Sequence, residues 1–115
     1  MLEKGVVFMQ VLDIKKGNFS KIDGGKLKEK MKEIFGNVKE EDGFLVSYYL
    51  AMDPIRLKIQ DKTHLICDIV TKTGLSEEDN IKTISAKNKV LEFATGFTAK
   101  ERAKRLQKAA KDGKI

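Results

Sequence analysis

The sequence predicts an α+β domain: a four-stranded, mainly antiparallel sheet with helices packed chiefly on one face, its elements in the order β-α-β-β-β-α-α. Three observations carry that expectation. Apolar residues alternate with polar ones in adjoining runs from Phe44 to Val70, as in half-buried strands, and they recur at helical spacing from Leu27 to Phe35 and again after Ser76. No repeat, low-complexity tract or Pro/Gly-rich linker interrupts the 115 residues, so residues 1–115 read as one domain. A chain of this length buries roughly two-thirds of its unfolded surface, enough for a core without metal or disulfide staples.

The first element is a strand from Val6 to Ile14. It is rich in β-branched residues and apolar on both parities, the pattern of a strand covered on both faces. Asp23-Gly24-Gly25 then leads into a helix whose Leu27, Met31, Ile34 and Phe35 share one side, and Gly36-Asn37 stops it. In the next strand Phe44, Val46, Tyr48 and Leu50 share a face, and in the one after it Ile55, Leu57 and Ile59 do. A hairpin through Ala51 to Pro54 would pair Leu50 with Ile55, Tyr48 with Leu57 and Val46 with Ile59. For the following hairpin, a three-residue loop at Asp61-Lys62-Thr63 sets Leu65, Cys67 and Ile69 against Ile59, Leu57 and Ile55, whereas a one-residue slip would turn the apolar set outward. The chosen register places Asp68 opposite Arg56, and Arg56 opposite Tyr49, so an exposed cross-strand ion pair is expected.

Ser76 is the expected N-cap of the next helix, with Glu77, Glu78 and Asp79 in its first turn, where the helix dipole favours negative charge. Ile81, Ile84 and Leu91 fall on one side, while Val90, Phe93 and Phe97 drift to another. This implies a widely buried helix or a bend near Ala86 to Asn88. Gly96 ends it, and Thr98-Ala99-Lys100-Glu101 is a capping box that opens a last helix at once, over residues 98–111. The stripe Ala99, Ala103, Leu106 and Ala110 is narrow and made mostly of small residues, so this helix should be the least anchored element.

Charge separates that helix from the rest. The formal net charge is +6, yet Thr98 to Ile115 holds seven basic and two acidic residues, while residues 1–97 hold sixteen and fifteen. The basic character is therefore a property of one segment, and nucleic acid is the partner class it suggests. The expected contacts are Lys100, Arg102, Lys104, Arg105 and Lys108. A predicted outer sheet face with Tyr49, Arg56, Lys58 and His64 adds a stacking ring and cations. The same face carries Leu45, Ile66 and Val70, and the alternative is a homodimer or protein partner seated there.

Other chemistry finds little footing. His64 and Cys67 lie three apart on a strand, so their side chains should diverge instead of meeting at a metal or forming a nucleophile and base. Asp23-Gly24-Gly25-Lys26 lacks the spacing of a phosphate-binding loop, with Leu27 where Ser or Thr is needed. The clusters Glu40-Glu41-Asp42 and Glu77-Glu78-Asp79 match no calcium-loop spacing. No catalytic residue, metal or cofactor is expected, and the chain is read as non-enzymatic. A single cysteine forms no internal bridge. The apolar run Val6 to Met9 is too short for a signal segment or a membrane span, so the expected location is cytoplasmic, with no membrane partner.

The stretch Ala94-Thr95-Gly96-Phe97-Thr98-Ala99-Lys100-Glu101-Arg102-Ala103-Lys104-Arg105 resembles the C-terminal signature of a family of short archaeal proteins of unknown function. In that family an Ala-Thr-Gly-aromatic turn leads into a Thr-Ala-Lys-Glu-Arg helix. The resemblance implies an archaeal source and a small α+β domain, and it brings no activity, cofactor or catalytic residue with it.

Overall fold

Five strands form the sheet, one more than the sequence predicted. The computed structural model describes the backbone of residues 7–111 and the side chains of residues 10–105. Its elements are β1 (Val7–Asp13), α1 (Phe19–Ile22), α2 (Lys26–Phe35), β2 (Lys39–Glu41), β3 (Phe44–Tyr49), β4 (Met52–Asp61), β5 (His64–Thr71), α3 (Glu77–Thr95) and α4 (Ala99–Lys111). The strands run in the order β1-β5-β4-β3-β2, every neighbouring pair antiparallel. The α+β class is as expected. The added strand is β2, and the added helix is the single turn α1.

The extra strand follows from the Asp42-Gly43 turn. Both residues take left-handed φ angles, 55° and 83°, as a two-residue hairpin with the right-handed twist of its strands requires. That turn sets Glu41 against Phe44, Glu40 against Leu45 and Lys39 against Val46. The acidic pair Glu40-Glu41 therefore lies on an exposed edge strand, where charge discourages edge-to-edge pairing with another chain.

Between β4 and β5 the predicted register holds: Ile59 faces Leu65, Leu57 faces Cys67 and Ile55 faces Ile69. The loop is built differently from the three-residue expectation. Asp61 pairs with His64 across Lys62-Thr63, and an irregularity between Ile59 and Asp61 absorbs the odd residue. The Asp61 carboxylate accepts hydrogen bonds from the Thr63 backbone N–H (2.9 Å) and the Thr63 hydroxyl (3.0 Å), and His64 Nδ1 lies 2.9 Å away. These contacts, the Thr63 backbone N–H foremost, hold the carboxyl at a pKa of about 2, well below its usual value.

The β3–β4 register differs from expectation. Leu45 faces Leu57, Val46 faces Arg56, Ser47 faces Ile55 and Tyr49 faces Met52, a slip of three residues that moves β3 to the opposite parity. The chain turns at Leu50-Ala51, with Leu50 left-handed at φ 47°, and β4 begins at Met52 with a bulge at Asp53-Pro54. Leu45, Ser47 and Tyr49 thereby join the core side. A buried serine is tolerated there because its hydroxyl donates to the Asn37 carbonyl at 2.7 Å.

Helices α1, α2 and α3 pack on the face carrying Ile55, Leu57, Leu65, Cys67 and Ile69. They contribute Ile22, Leu27, Met31, Phe35, Ala86, Val90, Leu91 and Ala94 to one core. The expected stops and caps are present: Gly36 is left-handed after α2, and the Asp79 N–H donates to the Ser76 hydroxyl. α3 runs unbroken from Glu77 to Thr95 and is not widely buried. Ile81 and Ile84, expected on its apolar side, are each more than half exposed, while Thr83 and Ala86 face inward. Among the described residues β1 is likewise an edge strand, paired with β5, and Val11 on it is half-exposed, against the expectation of cover on both faces.

Candidate nucleic-acid interface

The corner between α3 and α4 is rigid. Asn18 donates through Nδ2 to the carbonyls of Phe93 and Ala94 at 3.0 and 2.9 Å, satisfying the end of α3. Gly96 (φ 81°) closes the helix in a left-handed conformation that favours glycine, and a Cβ there would lie in tight contact, 3.0 Å, with the side chains of Asn18 and Lys15. The predicted capping box follows: the Thr98 N–H donates to Glu101 Oε1 (2.9 Å) and the Glu101 N–H to the Thr98 hydroxyl (3.2 Å). The bond from the Thr98 backbone holds the Glu101 carboxyl below its usual pKa.

Of the two arginines of α4 expected to reach outward, Arg102 is instead buried, while Arg105 is exposed and paired with another element. Arg102 is only 9% exposed; it donates to the Phe97 carbonyl at 2.8 Å and to Asn88 Oδ1 of α3 at 2.9 Å. Burial draws its pKa down, and neighbouring Glu92 favours the charge. Arg105 sits 4.5 Å from the centre of the Phe97 ring and donates to the Asp13 carboxylate at 2.9 Å. The helix is thus fastened to α3 on one side and to the end of β1 on the other. Lys100 and Lys104 are exposed. The side chains of Leu106, Lys108 and Ala110 lie outside the described residues.

On the sheet face opposite the core, the expected Arg56–Asp68 pair is present, with Arg56 Nη2 2.9 Å from Asp68 Oδ2. It is not an exposed pair, since Asp68 is 7% exposed and Arg56 alone reaches solvent. The other carboxylate oxygen, Asp68 Oδ1, is buried with no hydrogen-bond partner among the described residues. Tyr49 is not on this face and does not neighbour Arg56. The β3 slip turns it to the core side, where its ring packs 5.5 Å from that of Phe35. Leu45 moves with it.

In their place the slip brings out Phe44 and Tyr48. Phe44 has the Arg56 guanidinium 5.1 Å and the Lys58 ammonium 5.6 Å from its ring centre, and Tyr48 has the Lys39 ammonium at 5.8 Å. Tyr48 is 44% exposed. Its backbone is clamped by one side chain: its N–H donates to Asn37 Oδ1 (2.9 Å) while Asn37 Nδ2 donates to its carbonyl (2.8 Å). Sequence reasoning missed Lys39, Phe44 and Tyr48. The Asp42-Gly43 dipeptide is the signal that would have found them, because a hairpin there makes Phe44 the first residue of its strand.

His64 and Cys67 diverge as expected. His64 is on the outer side beside Asp61, and Cys67 is buried among core residues, where burial pushes its thiol up to about 12. Among the described residues, no three His, Cys, Asp or Glu side chains gather as metal ligands, and no helix is long and apolar enough to cross a membrane.

No curated protein and no solved structure matches the chain. Residues 9–108 match a family described as a domain of unknown function (DUF5611), a span that runs from β1 through both charged regions into α4. With nearly all of its length inside that match, the chain belongs to the DUF5611 family.

Proposed function

We propose that this domain is a non-catalytic module that binds nucleic acid, with one side of α4 as its phosphate-contacting surface. The observation that carries the reading is the division of labour along that helix. Arg102 is buried against the body of the protein, and Arg105, though exposed, is paired with Asp13 of β1. Lys100, Lys104, Lys108 and Lys111 recur at the spacing that returns to a single side of a helix, away from the arginine positions. Lysines repeated once per turn along a helix held at a rigid corner offer a row of point charges to a polyanion.

The test is binding of a mixed-sequence oligonucleotide by fluorescence anisotropy across a salt series. Four phosphate contacts give a log–log salt slope of magnitude about 3. Replacing the four lysines with glutamine should flatten that slope and weaken binding at least tenfold, with the fold retained. Unchanged affinity and slope in that variant would overturn the reading.

Self-association through the outer sheet face is a second reading, favoured by half-exposed Val11 beside the partly buried Ile66. Sedimentation at increasing concentration decides it, since a monomer throughout leaves that face without a second copy.

A further inference from the structure

We propose that the outer face of β2, β3 and β4 is a stacking platform for single-stranded nucleic acid, with Tyr48 and Phe44 as the rings that meet bases and Lys39 and Lys58 as the cations beside them. This rests on the nucleic-acid reading above and deepens it, because it names unpaired strands as the substrate class.

Tyr48 and Phe44 are four residues apart on one strand and on one face, so their Cα atoms are about 13 Å apart, with Val46 between them. A single strand with unstacked bases can lay successive bases on rings so spaced, whereas a duplex keeps its base faces stacked internally. Each ring already has a cation within 6 Å. Lys58 is exposed and runs over the Asp42-Gly43 turn, its Nζ 3.4 Å from where a Gly43 Cβ would stand. Lys39 is half-exposed, and the Glu41 carboxylate lies 3.9 Å from its ammonium, a separation at which the pair is weak and solvated.

Arg56 plays a different part. Its bond to Asp68 fixes the guanidinium near the Phe44 ring, so it orients that ring and leaves phosphate contact to the lysines. Asn37 locks the Tyr48 backbone from both sides, which fixes the point on β3 from which its ring projects. The two benzenoid rings belong to this half of the face: toward β1 and β5 the described outer residues include Val11, Ile66, Asp68 and Val70, and the ring of His64 stands at the far end beside Asp61.

The experiment compares a dT12 oligonucleotide, a U12 oligonucleotide and a duplex of matched charge on the full chain, with wild type, Tyr48→Ala and Tyr48→Phe. Tyr48 is exposed, so neither variant endangers the core. The expected result is tighter binding of both single strands than of duplex and a loss of about tenfold for Tyr48→Ala on single strands only. Tyr48→Phe should bind as wild type does, and tyrosine fluorescence of the wild type should be quenched on binding. Equal binding of single strand and duplex with Tyr48→Ala unaffected overturns the platform and leaves the α4 reading standing. Binding of none of the three probes overturns both.

Discussion

The two faces of one sheet are built on opposite principles. On the core face, three apolar pairs stack across β4 and β5, and three helices close over them. On the outer face, the same two strands carry Arg56 against Asp68 and Lys58 against Ile66, and the neighbouring β3 adds two aromatic rings. Alternation along a strand guarantees two chemically different faces, yet it does not say which one is the interior. Val46 shows this well. It is buried although it belongs to no core cluster, because it sits between Phe44 and Tyr48 along its strand and between Lys39 and Arg56 across the sheet. Burial on the outer face is produced locally by long side chains leaning over a small one.

The largest expected effect breaks the core side of the comparison. Leu57 is fully buried under the helices, and Leu57→Ala should cost about 3–4 kcal/mol in urea denaturation while leaving oligonucleotide affinity unchanged in the folded fraction. A somewhat smaller loss is expected on the outer face. Arg56→Ala strands the buried Asp68 carboxylate and should cost on the order of 3 kcal/mol, reduced by the solvent that reaches Arg56. The paired replacement Arg56→Met with Asp68→Leu sharpens the contrast: if it is as stable as wild type, the ion pair is retained for something other than stability. Smaller still is the acid response of the β4–β5 turn. The Asp61 carboxyl is lowered in the folded state, so its contribution is fully present above the ordinary carboxylate pKa and is lost as pH falls through about 2. The Thr63 amide chemical shift should therefore show its acid step only at about pH 3 and below, and in Asp61→Asn that step should be lost. Least of all, Tyr48→Ala should cost no more than about 1 kcal/mol, the loss of its cover over Val46, a smaller effect than the one expected on binding.

How much of this was legible in the residues depended on redundancy. Ile55, Leu57 and Ile59 against Leu65, Cys67 and Ile69 agree at three successive rungs, so only one register suits them, and that register is observed. β3 offers no such agreement. Its apolar residues occupy both parities, and the deciding fact is a hydrogen bond from Ser47 to a carbonyl ten residues away, which no periodicity reports. Caps were readable because they are local: Ser76, Gly36, Gly96 and the Thr98–Glu101 box each depend on a few neighbouring residues. The candidate interface was readable in its charge and not in its pairing. That Arg105 reaches Asp13, ninety-two residues earlier in the chain, is a tertiary fact, and it is what separates the arginines of α4 from its lysines.

The position of Cys67 has a practical consequence. It is the chain's one thiol, enclosed by the core and held almost wholly protonated at neutral pH. The native chain is therefore silent toward maleimide dyes while folded. Any cysteine introduced at the surface, on the lysine side of α4 or beside Tyr48, becomes a unique attachment point without prior removal of the natural one. A donor and an acceptor, one on the protein and one on the oligonucleotide, could then trace the path of a bound strand across the molecule.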